Sequence, residues 1–174
     1  MMILITLFAA TLAQSRPELA ALPPAQQTTA RTFLATSCFT GDDAQKRAAL
    51  AGIPEGVFWE AYRLGPEPEE LVKLQRASAD AYKKRVQWLA NANSNALSKE
   101  ELAAQQRVSE AEYVDRKLAD QRDRYRSAAL IGISVVGTGA SLSELRRIAA
   151  DEKDPMSGAA KAALEALAQS QSAK

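Results

Sequence analysis

Three carboxylate pairs are the first candidates for chemistry: Glu69 with Glu70, Glu100 with Glu101, and Glu110 with Glu112. Neighbouring carboxylates can divide the acid and base roles of a hydrolase, but only where burial or repulsion moves one of them towards neutral pH. All three pairs sit in charged, helix-forming sequence. The positive start of a helix, or plain solvation, accounts for them there. Nucleophiles fare no better, because the chain has no His and therefore lacks the usual partner base for Ser or Cys. No G-x-S-x-G elbow occurs. Ser157 is followed by Lys161 one place beyond S-x-x-K spacing, and Ser78 has Ala81 at the lysine position. Gly137-Thr138-Gly139 follows a helix-forming stretch and lacks the lysine of a phosphate loop, so it reads as a helix stop. Asp151-Glu152-Lys153-Asp154 departs from the calcium-loop pattern. Cys38 is the single cysteine, which excludes an intrachain disulfide and a thiolate metal cluster. It reads as a small buried hydrophobe within Thr32 to Phe39. The expectation is an absence of catalytic, cofactor-binding and metal-binding residues, and no cofactor. A carboxylate-dependent hydrolase is the enzymatic alternative.

The nearest approach to a charged, aromatic patch is Lys83-Lys84-Arg85 beside Trp88. Basic residues late in a helix also answer its negative end, and Trp88 is expected against the rim of the core. The net charge of the whole chain is +1, which argues against a nucleic-acid partner.

These residues need a helical frame. The chain has 174 residues, 47% of them hydrophobic, 25% charged and only 6% aromatic. Abundant Ala allows close helix packing, and no stretch alternates β-branched with polar residues, so the fold class is all-α. Residues 25–66 read as a cap of short helices: Ala25 to Phe39 stopped by Gly41, Asp43 to Ala51 capped by Asp42 and ended by Gly52, and a third after Pro54. The last has Val57, Phe58, Ala61, Tyr62 and Leu64 inward. Residues 67–136 read as a long antiparallel helical hairpin turning at Asn91 to Asn95. Its first arm, Glu67 to Ala92, carries Val72, Ala79 and Val86 at seven-residue spacing with Gln75, Tyr82 and Leu89 between them, a coiled-coil-like seam with one polar interruption. Its second arm is one helix from Lys99 to Val136, opened by a Ser98/Glu101 capping box. The apolar stripe of this arm is Ala104, Val108, Ala111, Leu118, Tyr125 and Ala129. The mixed charges from Asp115 to Arg124 form its solvated face.

Met1 to Ala13 is an uncharged apolar run ending in small residues, with Thr11 and Ala13 placed for cleavage after Ala13. It resembles a secretory signal peptide and lacks only the basic residue such segments usually carry in front. Thirteen residues fall short of the roughly 20 that a membrane span needs. Residues 14–24 read as a flexible leader.

The tail repeats a phrase. Tyr125-Arg126 leads to Ala129, Ile133 and Gly137; Met156-Ser157 leads to Ala160, Leu164 and Ala168 at the same offsets. Between them Ser141 and Glu144 have capping-box spacing, followed by Leu142, Leu145, Ile148 and Ala149 as a buried face. Asp154 with Pro155 is expected to open the last helix. The stretch from Tyr125 to Ala168 resembles the short bacterial form of HEAT repeat. Arg126, Ala129, Ile133 and Gly137 fit the first phrase, and Leu142, Leu145, Asp151 and Asp154 fit the middle. Ser157 stands where a second basic residue would be, and Ala168 replaces a closing glycine. The resemblance implies a HEAT-like helical pair over 137–169, before a frayed tail at 170–174. Stacked helices of this kind present surfaces to other proteins. The sequence thus points to an exported, periplasmic or extracellular, non-catalytic module that binds or scaffolds another protein. It has no stable membrane span, and its protein-binding residues and partner are unknown. A homo-oligomer built through the seam, as a self-associating structural coiled-coil protein, is the remaining alternative.

Overall fold

The computed structural model describes residues 16–36, 43–91 and 98–172. Among the described residues there are nine helices and no strand, so the protein is all-α. The helices are α1 (Pro17–Ala20), α2 (Pro24–Ala35), α3 (Asp43–Ala49), α4 (Glu55–Leu64), α5 (Pro68–Asn91), α6 (Lys99–Gln106), α7 (Glu110–Val136), α8 (Ser141–Ala150) and α9 (Ser157–Ser172). Among the described residues no helix is long and apolar enough to cross a membrane.

Local chemistry sets the boundaries. Pro24 occupies the first turn of α2, where its missing N–H is no loss. Gly65 ends α4 at φ 73°, a backbone state in which a side chain would be strained. Glu69 and Glu70 lie in the first turn of α5, against the positive end of its dipole. The Ser98/Glu101 capping box forms as expected, with both reciprocal hydrogen bonds present.

The C-terminal half of α7 is the centre of the molecule. Tyr125, Ala128, Ala129, Leu130, Gly132 and Ile133 are all buried there. Around it pack α2, α3, α4, α5 and α9, and α8 is held against α9. Small residues make the crowding feasible. A Cβ on Gly132 would stand 2.3 Å from Cδ1 of Phe58, so the Phe58 ring lies directly over the α7 backbone. Phe33 meets that ring edge-on at 5.7 Å. One apolar core runs from Leu19 to Leu167, so α1 to α4 share it with the tail and do not form a separate cap. Each large side chain sealed there contributes about 1.5–3 kcal/mol.

Several boundaries differ from the sequence expectation, each for a local reason. The supposed flexible leader is ordered from Arg16 onward: α1 forms and Leu19 is only 2% exposed. Glu60, itself buried in α4, accepts hydrogen bonds from the N–H groups of Glu18 and Leu19, both at 3.1 Å. The first helix of the expected cap stops at Ala35, because Thr36 turns extended. The next stops at Ala49, before Gly52 at φ 77°. The single helix expected from Lys99 to Val136 is two helices. Ser109 accepts a hydrogen bond from the Glu112 N–H and so starts α7 afresh. Ser141 makes no cap with Glu144; its hydroxyl turns inward, and Glu144 binds Arg147. The last helix begins at Ser157, after Asp154 accepts from the Met156 N–H in a turn. It continues to Ser172, through most of the tail expected to fray. The signal-like segment 1–13, Cys38, Phe39, Gly41, Asp42 and the turn beyond Asn91 lie outside the described residues.

Candidate functional site

Away from the core, α5, α6 and the first half of α7 form an arm. Its inner seam differs by one residue from the one the sequence suggested. Leu71, Leu74, Ser78, Tyr82, Arg85 and Leu89 turn towards the neighbouring helices, with Ser78 and Leu89 fully buried. Val72 and Val86, each 45% exposed, lie roughly a quarter-turn away around the helix. Gln75 is exposed, whereas Tyr82 and Leu89 stand where expected. The misreading has a physical origin. The true inward line carries Ser78 and Arg85, which look polar on paper. Ser78 is small, like the residues that let helices approach closely. The Arg85 guanidinium sits 5.3 Å from the Tyr113 ring centre and also hydrogen-bonds Gln105 of α6. On the facing helix, Val114 is buried, while Ala104 and Ala111 of the expected stripe are exposed.

Tyr82 ties the arm together. Its hydroxyl donates to the Val108 carbonyl at 2.9 Å, across the break between α6 and α7, and its ring lies 5.7 Å from Tyr113. The Lys117 ammonium is 5.7 Å from the centre of that second ring.

Two open grooves follow the displaced stripe. One, of about 180 Å³, is lined by Tyr82, Val86, Leu89 and Ala90 of α5, Gln105 and Gln106 of α6, and Val108. The other, of about 420 Å³, lies between Gln75 and Ala79 of α5 and Glu110, Ala111, Val114 and Asp115 of α7. Both have linings of mixed apolar and polar residues. Trp88, expected at the core rim, is 55% exposed on the opposite flank of α5, with Lys84 also exposed there.

The carboxylate pairs are not brought together. Glu100 and Glu101 are exposed at the start of α6. The Glu101 carboxyl is held below the usual range by its hydrogen bond from the Ser98 backbone. Glu110 and Glu112 open α7 in solvent, with Glu112 bound to Arg116. Glu69 and Glu70 begin α5.

Sequence reasoning missed two polar centres because their partners are far apart in the chain. In one, the Glu55 carboxylate accepts from the Thr138 N–H at 2.6 Å and the Ser141 hydroxyl at 2.8 Å, while that hydroxyl accepts from the Trp59 indole N–H at 2.9 Å. Every member has a partner, so the cluster reads as a clasp between α4 and the turn before α8. In the other, burial pushes the Tyr125 hydroxyl up to about 12, despite the opposing Arg16 guanidinium nearby. Arg16 also donates to the Gly65 carbonyl, which locks the start of α1 over the end of α4. Among the described residues, no group of three or more Cys, Asp or Glu is placed to hold a metal ion. Comparison with known protein families, with curated proteins and with solved structures finds no match to this chain.

Proposed function

We propose that the protein is an exported, non-catalytic helical module that docks another protein on the α5 face of its arm. One observation carries this reading: Val72 and Val86, each 45% exposed, stand on the same flank of α5. Two such residues on one flank of one helix, beside the grooves lined by Val86 and Ala79, support a docking surface over scattered surface hydrophobes. The carboxylate-hydrolase alternative needs two convergent, buried acids. The pairs named for it lie at helix starts, and the buried Glu60 serves α1.

Export rests on Met1 to Ala13 alone. It is tested by the mass of the chain recovered from separated cell fractions. Cleavage after Ala13 and location outside the cytosol are expected; an intact Met1 in the cytosol would refute it. Docking is tested by capture from an envelope extract with the wild-type chain and with Val72→Asp/Val86→Asp. A partner retained by the first and lost by the second is expected. Equal retention by both would remove α5 as the surface.

A further inference from the structure

The exposed stripe has heptad spacing of its own. Val72, Ala79 and Val86 recur every seven residues and lie within about 40° of one another around the helix. That is the period by which one helix tracks along another in a left-handed supercoil. Within the chain, the inward seam is made by the adjacent line, which leaves Val72 and Val86 exposed and Ala79 half-exposed at the edge of the groove shared with α7. Ala79 at the middle layer permits close approach.

The charges beside the stripe say what covers it. On one side stand the exposed cations Arg76 and Lys83. On the other lies the groove whose α7 wall carries the exposed acids Glu110 and Asp115. The two walls match in height. Because Tyr82 meets Tyr113 while Ala79 shares a groove with Val114 and Asp115, α7 descends as α5 ascends. Lys83 therefore stands within about one helical turn of the level of Glu110, and Arg76 within about one turn of that of Asp115, inside the reach of these long side chains. A surface with cations on one flank and acids at matching heights on the other is complementary to itself under a two-fold rotation.

We propose that α5 pairs in parallel with α5 of a second copy about a two-fold axis running along the helix. Val72, Ala79 and Val86 then each meet their own image. Arg76 and Lys83 of each copy reach Asp115 and Glu110 of the other. The orientation follows from the flanks. A parallel pair turns the cationic flank of each α5 towards the other copy's α7, whereas an antiparallel pair sets the two cationic flanks side by side. The pairing Lys83 now makes, with Asp80 on its own helix at 3.6 Å, is exposed and contributes little, so it is readily exchanged. This deepens the docking reading by naming the partner as a second copy, and it is tested with nothing else in solution.

The experiment is sedimentation of the purified full chain across a concentration series. Wild type is expected to rise from the mass of one chain to that of two. Ala79→Arg is expected to stay at one, with its helical circular dichroism unchanged. Arg76→Glu/Lys83→Glu is expected to weaken association by about tenfold or more, and adding Glu110→Lys/Asp115→Arg is expected to restore it. In a Cys38→Ser background, Val72→Cys and Val86→Cys are each expected to link to themselves under mild oxidation. A wild-type chain that remains single at every concentration would overturn the proposal while leaving docking of another protein standing. Val72→Cys linking only to Val86→Cys would overturn the parallel register.

Discussion

Replacing Gly132 with Ala tests how tightly the centre of the molecule is packed. Glycine inside a helix is ordinarily a weakness, and Ala there favours folding by about 1 kcal/mol. At Gly132 the new methyl would stand 2.3 Å from Cδ1, 2.5 Å from Cε1 and 2.7 Å from Cγ of Phe58. Real contacts do not come so close, and the obstacle is a ring with 0% exposure, braced edge-on by Phe33. Either the ring or α7 must move. Overpacking of this kind costs about 1–3 kcal/mol. After the propensity gain is subtracted, Gly132→Ala is expected to lower stability by up to about 2 kcal/mol, and the melting temperature by about 2–4 °C for each kcal/mol. Thermal and urea unfolding followed by helical circular dichroism would measure it. Gly158 is the internal control, since a Cβ there meets nothing within 4 Å, and Gly158→Ala is expected to be neutral or stabilising by up to about 1 kcal/mol. Shrinking the obstacle with Phe58→Leu should make Gly132→Ala less harmful than it is alone, a coupling of about 1 kcal/mol. If Gly132→Ala stabilised the protein as much as Gly158→Ala, the placement of Phe58 over α7 would be wrong.

Other perturbations probe the polar centres. Glu60→Gln replaces an oxygen that accepts from a buried N–H with a donor. It is expected to cost about 1–3 kcal/mol and to expose α1 to rapid hydrogen exchange before the rest of the fold. Ser141→Ala leaves the Trp59 N–H without its acceptor and takes one donor from Glu55; denaturant titration should show a loss of about 1–3 kcal/mol. The Tyr125 hydroxyl, moved from 10.0 up to about 12 by burial, makes stability depend on alkaline pH. Its folded value lies above its unfolded one, so its contribution is complete below pH 10 and is lost as pH rises towards 12. The loss is about 2–3 kcal/mol, and Tyr125→Phe should flatten that part of the profile.

The sequence revealed helices more readily than it revealed which way they face. Gly65, Gly137 and the Ser98/Glu101 box mark boundaries through interactions only a few residues long, so they are visible in the chain. The break before α7 was equally local, since Ser109 and Glu112 have capping spacing, but an uninterrupted run of helix formers on both sides concealed it. Features set by distant partners were not legible. Nothing near Pro17 announces that Glu60 will hold α1, and nothing near Ser141 announces Glu55 and Trp59. The heptad in α5 is the instructive case. Val72, Ala79 and Val86 form a real repeat, but the inward line beside it uses Ser78 and Arg85, whose value depends on the approach of α7 and the position of Tyr113. Polarity on paper assigned the wrong line to the interior.

Photo-crosslinking in living cells tests most directly whether the α5 face makes contacts. A photoreactive amino acid placed at Val72 or Val86 is expected to capture protein, whether another copy or a different chain. The same amino acid at Lys161, exposed on α9, is expected to capture none. Capture at Lys161 with none at the two α5 positions would contradict the assignment of that face.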